Sequence, residues 1–152
     1  DGMNVVKEYI SLSQEMRRCN MTKIINGDIL NCTEDIIVHQ VNVAGAMGGG
    51  VARQLADQYA GLKEAYAEYC HKHKNRYINL CGNVFYYQAT DKIIANMFSQ
   101  QENFNTDYLN MKVALKDIRE YAKQKGLSVC MPYRARMWDS EWKLEHCIKY
   151  YR

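Results

Sequence analysis

Residues 45–52 read Gly-Ala-Met-Gly-Gly-Gly-Val-Ala, and four of the chain's nine glycines fall within six positions. Glycine loses more backbone freedom on folding than any other residue, so such a cluster implies a conformation or a close approach that side chains would block. It follows the apolar, β-rich run Ile36 to Val43 and precedes a helical face made by Val51, Ala52, Leu55 and Tyr59. A strand that runs through glycines into a helix is phosphate-binding geometry. The helix N-terminus offers free N–H groups and a partial positive charge. Glycines let the backbone curl into a concave nest of donors around an anion. A phosphate or pyrophosphate suits this chemistry; a tight strand-to-helix turn without a ligand is the alternative.

Two familiar phosphate loops do not match. A P-loop ends in Gly-Lys followed by Ser or Thr, whereas Val51 follows Gly50. The dinucleotide fingerprint needs GxGxxG, and Gly45, Gly48, Gly49 and Gly50 do not have that spacing. The chain has six cysteines, none in a CxxC pair and most inside apolar segments. That pattern predicts reduced, buried thiols and a cytoplasmic protein. Cys70, His71, His73 and Cys81 match no zinc spacing and read as residues of a helix end, so no metal is expected. His39, in mid-strand, reads as a core residue, and most of the twelve tyrosines as half-buried surface cover.

The elements that must position the loop follow from periodicity. Val5, Tyr9, Leu12 and Met16 predict an amphipathic helix over residues 4–18, so residues 1–20 form an N-terminal helical extension and 21–152 the domain proper. Lys23 to Asn26 is a short strand closed by Gly27-Asp28. Leu62, Ala65, Tyr66, Tyr69 and Cys70 mark a second helix. Val84 to Gln88 and Ile93 to Phe98 are strands joined by a turn at 89–92. Thr106 is the expected N-cap of a long helix that buries Met111, Leu115, Ile118 and Ala122, with Gly126 past its end. Leu127 to Met131 and Trp142 to Tyr151 complete the strands. Alternating strands and helices predict an α/β domain. At 152 residues and 24% charged, the chain suits one globular domain. Its net charge of +3 is too weak to imply a nucleic-acid partner. No 18-residue apolar run is present, so no membrane partner is implied, and the N-terminus has no signal-peptide pattern.

The combination of "INGDIL", "IIVHQVNVAGAMGGGVARQLADQY" and "IANMFSQ" resembles a macro domain, the ADP-ribose-binding module, over roughly residues 21–133. It is most similar to bacterial and phage-type members near the branch that removes ADP-ribose from glutamate or thymidine. The resemblance implies a three-layer α/β/α sandwich around a mixed, mostly parallel sheet. It also implies site residues. Asp28 would accept a hydrogen bond from the adenine amino group, with Ile29 beside the ring and Tyr108 in the segment packing near adenine. Asn42 would face the distal ribose, although a turn-stabilising role at a strand end is an equal reading of that residue. Gly45, Met47, Gly48, Gly49, Gly50 and Val51 would wrap the distal ribose and pyrophosphate. Asn96 and Ser99 would act as support.

The resemblance breaks after "VCMPY". Relatives carry a second glycine-rich loop there, followed by the last helix; here no glycine follows Gly126, and 19 residues follow Tyr133. The second loop and most of the last helix are therefore missing between 133 and 138. An omitted segment, a true deletion and an unrelated C-terminus each account for this.

Hydrolysis of an ADP-ribosyl bond passes through an oxocarbenium-like sugar. In the neighbouring branch a lysine attacks that sugar, and Lys92 is the nearest candidate, with an ordinary solvated turn as the alternative. Other members use a water positioned by the first loop and the ligand's own phosphate, which would call on Asn42 and Gly48 to Gly50. The resemblance thus implies binding of ADP-ribose or of ADP-ribosylated protein or DNA, without a cofactor, and with hydrolysis of the linkage. A reader without turnover and a binder of a related nucleotide metabolite are the alternatives.

Overall fold

The computed structural model describes residues 23–74, 80–101, 105–132 and 147–151. The expected helix over 4–18 lies outside them. Six strands form one sheet: β1 (Lys23–Asn26), β2 (Ile36–Asn42), β3 (Val84–Gln88), β4 (Ile93–Gln100), β5 (Val129–Pro132) and β6 (Cys147–Tyr151). Their order across the sheet is β1-β6-β5-β2-β4-β3. All neighbours run parallel except β3, which joins β4 antiparallel through the tight turn at 89–92. The described residues form three α-helices, α1 (Gly50–Gln58), α2 (Leu62–Lys74) and α3 (Tyr108–Lys125). The mixed, mostly parallel α/β/α sandwich is as expected.

Period-two alternation along β2 assigns its side chains to two cores. Ile36 and Val38 pack with Met97, Met111, Leu115 and Ile118 beneath α3. Ile37 and Val41 pack with Leu55, Leu62, Tyr66 and Phe98 beneath α1 and α2. A central parallel strand covered on both faces is apolar nearly throughout, which is why residues 36–43 carry no polar alternation.

One expected cap is corrected. Thr106 forms an antiparallel bridge with Gln100, so it does not cap α3. Asp107 does, accepting from the Asn110 N–H at 3.1 Å. At the other end Gly126 adopts a left-handed φ of 66°. Its N–H reaches the Lys123 carbonyl and that of Leu127 the Ala122 carbonyl, the paired bonds of a Schellman motif.

Candidate functional site

Parallel strands deliver their following loops to one edge of the sheet. Val43 to Gly49 leave β2 there, and Asp28 follows β1 on the same edge. Asn42 organises the loop. Its Oδ1 accepts from the Ala44 N–H at 3.1 Å and the Ala46 N–H at 3.2 Å, while Nδ2 donates to the Ala46 carbonyl at 2.7 Å. Tyr66 of α2 donates its hydroxyl to the Asn42 carbonyl and lies 3.1 Å from Oδ1. Burial pushes the Tyr66 hydroxyl well above its usual range, so it remains a donor. The register slips by one residue between Val41 and Asn42 on the β4 side, and such a bulge re-aims the side chain that follows it.

The glycines divide into two kinds. Gly45 and Gly50 have φ of 82° and 57°, left-handed values that other residues rarely adopt. Gly48 and Gly49 do not, and a Cβ built on either meets no described atom within 4 Å. Gly49 is the N-cap of α1, at φ −150°, and supplies no side-chain cap. The first N–H groups of the helix therefore face the space beside Gly48 and Gly49.

That space is a cavity of about 560 Å³, within the range of ligand pockets. It is lined by Asn42, Ala46, Gly48 to Gly50, Val51 and Ala52. Val38, Met97, Met111 and Met131 also line it, as do the partly buried Gln40 and Gln100. The cavity opens at the C-terminal ends of β2, β4 and β5. The chain leaves β2 for β4 on one side and returns from β4 through α3 to β5 on the other, so this is the crevice where open α/β sheets take ligands.

No family model matches the chain. It is 32% identical over 77 residues to the ADP-ribose 1''-phosphate phosphatase of Candida glabrata, a match spanning 49% of this chain and 43% of that protein. It is 29% identical over 112 residues to the protein of the same name from Lodderomyces elongisporus, spanning 67% of each. The chain thus spans less than half of the first relative's length. Its structure superposes on the macrodomain of Mycobacterium tuberculosis DarG with a TM-score of 0.71 at 19% identity, covering 86% of this chain and 97% of that one. The fold is that of a macrodomain. Thermosipho africanus DarTG in complex with ADP-ribose matches with a TM-score of 0.66 at 16% identity, over 85% of this chain and 41% of that one.

On this macrodomain frame the expected site residues separate. Asn42, Gly48, Gly49, Gly50 and Val51 line the cavity. Gly45 instead packs against α2, where a Cβ would lie 3.6 Å from that of Cys70. Met47 and Ile29 turn into the α1/α2 core, so they anchor their loops with their side chains. Tyr108 does not line the cavity either; it starts α3 and is 53% exposed. Asp28 caps a 3-10 turn at Ile29–Asn31, accepting from the Leu30 N–H at 3.1 Å. Asp28 and the glycine loop follow strands three positions apart, a separation of about 14 Å at ordinary strand spacing.

Lys92 requires a correction. It directly precedes β4, whose first residue pairs with Ile36, so it sits at the N-terminal edge of the sheet. Asn42 lies six residues further along β2, about 20 Å away. The Lys92 ammonium donates to the Glu34 carbonyl at 2.6 Å, remote from the cavity.

Asn96 and His39 form the buried support. Asn96 Nδ2 donates to the Phe85 and Ile94 carbonyls at 3.0 and 3.2 Å, which leaves its Oδ1 as acceptor for His39 Nε2 at 2.8 Å. His39 is therefore the Nε2–H tautomer, and burial pushes its pKa down to about 4. His73 Nδ1 is engaged by the Tyr69 carbonyl at 2.7 Å on α2, in keeping with a helix-end role. The lining residues Gln40 and Gln100 are ones that the sequence reading does not single out. Their signal is a polar residue near the end of an apolar strand on the edge where the glycine loop lies.

Proposed function

We propose that this domain binds ADP-ribose along the edge of its sheet and hydrolyses ADP-ribosyl linkages with a loop-positioned water. The observation that carries the reading is the pair Gly48 and Gly49. Neither backbone angle nor any described neighbour requires glycine there, so what excludes a side chain is the occupant of the cavity. That occupant meets the uncapped N-terminus of α1, which favours a phosphate group. Contact with both Asp28 and the loop, about 14 Å apart, calls for an elongated ligand with its phosphates between two ends. ADP-ribose has that form, and it appears in the names of the curated relatives and of the DarTG complex.

In this reading Asp28 accepts from the adenine amino group, the N–H groups of Gly49 to Ala52 hold the pyrophosphate, and the distal ribose enters the cavity. The only titratable side chain in the described lining is His39, which burial keeps neutral. No described side chain supplies a nucleophile. The water is instead oriented by the loop and by the ligand's own phosphate. It adds to C1″ as the bond to the leaving group breaks, and its proton passes to the departing oxygen. The same lining favours a second reading, binding without turnover.

Calorimetry with ADP-ribose, AMP and ribose 5-phosphate tests the binding. ADP-ribose binds tightest, and Asp28→Ala removes its advantage over ribose 5-phosphate. Equal affinity of wild type for all three overturns the extended pose. Release of product from ADP-ribose 1''-phosphate, glutamate-modified protein and thymidine-modified DNA then separates hydrolase from reader.

A further inference from the structure

Cys32, Glu34 and Cys130 meet in the interior away from the cavity. Two sulfurs and a carboxylate oxygen lie within 4.8 Å of one another, and all three residues are buried. Neither thiol is in a disulfide. The three come from two segments fixed independently. Cys32 caps the end of the 3-10 turn, and Glu34 follows two residues later on the way into β2. Cys130 lies in β5, held opposite Ile37 by the β2–β5 ladder. The two thiols are already in hydrogen-bonding contact.

We propose that Cys32, Cys130 and Glu34 form a structural site for a soft divalent cation of the zinc type. Two thiolates and a carboxylate are borderline-soft donors suited to zinc, with water or a further protein group as fourth ligand. Ordinary zinc bond lengths put tetrahedral ligand atoms about 3.6 Å apart, so the cluster needs to close by no more than about 1 Å. The charges also balance. Two thiolates and one carboxylate around a dication leave one negative charge. The Lys92 ammonium, 2.6 Å from the Glu34 backbone carbonyl, supplies the compensating positive charge. A bound ion would tie the turn that carries Asp28 and Ile29 to the middle of the sheet. Sequence spacing could not reveal this site, because 98 positions separate the two cysteines.

The test uses the whole reduced chain, titrated with zinc against a chromophoric chelator and with cobalt as a spectroscopic probe. One equivalent binds, and cobalt gives thiolate-to-metal charge-transfer absorption. Cys32→Ser and Cys130→Ser abolish that absorption, whereas Cys70→Ser, a buried thiol elsewhere, leaves it intact. Lys92→Met weakens zinc by about 10- to 100-fold, as loss of an outer-shell partner does. Because Cys130→Ser could unfold the core, alkylation of the wild-type protein is mapped in parallel. Zinc protects Cys32 and Cys130 and leaves the reactivity of the other cysteines unchanged. The proposal is overturned if cobalt shows no charge-transfer absorption or if zinc protects neither thiol. It is equally overturned if the signal survives both serine variants, or if mild oxidant links Cys32 to Cys130 equally fast with zinc present.

Discussion

Replacing the loop glycines one at a time by alanine separates what the fold needs from what the ligand needs. Gly50 has φ 57°, so Gly50→Ala forces a Cβ into the left-handed region at a cost of about 1–2 kcal/mol. Gly48→Ala places its methyl where no described atom lies within 4 Å, at a backbone angle open to any residue. Its stability stays within about 1 kcal/mol of wild type, helped by a less flexible unfolded chain. Gly49→Ala behaves alike, less a small penalty because alanine is a poorer N-cap than glycine. Affinity for ADP-ribose responds in the opposite order. A methyl at Gly48 or Gly49 displaces the pyrophosphate from one or two N–H donors worth about 1.5–3 kcal/mol each, a loss of about 10- to 100-fold or more. Gly49→Glu adds repulsion from a carboxylate. At about 4 Å in water this is about 1 kcal/mol per charge pair, and two phosphate charges make it about 30-fold on their own. Urea unfolding and calorimetry on the same four proteins check both quantities. Wild-type ADP-ribose affinity in Gly48→Ala and Gly49→Ala refutes a ligand role for these glycines. So does a loss of stability in them as large as that of Gly50→Ala.

Three further outcomes follow from the site's supports. His39 has an ordinary pKa of 6.5 unfolded and about 4 folded, so between those values the unfolded chain holds the extra proton. Stability conferred by its neutral burial is complete above about pH 6.5, and about 3 kcal/mol of it is lost by pH 4. His39→Gln flattens that part of the urea-denaturation pH profile, and an unchanged slope would assign the effect to other groups. Asn42→Ala leaves the Tyr66 bond to the residue-42 carbonyl in place but strips the Ala44 and Ala46 N–H groups and the Ala46 carbonyl of their partner, costing about 2–3 kcal/mol in urea unfolding and weakening ADP-ribose; a loss confined to affinity would mean that the amide contacts ligand and does not hold the loop. Lys92→Ala leaves ADP-ribose affinity and any turnover at wild-type levels, and a drop in turnover alone would show that the sheet edge has been misassigned.

Local signals carried most of the fold. Residues 36–42 show no in-out alternation of burial because both faces of β2 are covered, and Met111, Leu115, Ile118 and Ala122 fall on one helical stripe because α3 has one core to meet. Sequence is least informative where a residue's role depends on helix phase or on which end of a strand it occupies. Tyr108 is one position from the cap of α3, and a rotation of about 100° per residue decides whether it faces cavity or solvent. Met47 sits amid cavity-facing glycines yet turns inward to the core. Such differences are set by packing that no local pattern encodes.

Lys92 was separable from the site in principle. The glycine loop follows β2, whereas Lys92 precedes β4, and parallel pairing turns "after one strand" and "before its neighbour" into opposite edges. Once β2 and β4 are paired in parallel, the two cannot meet. The edge that holds the glycine loop offers Gln40 and Gln100, neutral amides that hold each other at 3.4 Å. They can orient a hydroxyl or a water but cannot attack a sugar. On the proposed hydrolysis, therefore, catalysis at this edge would rest on how firmly the Asn42-organised loop positions water and phosphate. The loop's rigidity, and not the acidity of any described side chain, would then be the quantity on which turnover depends.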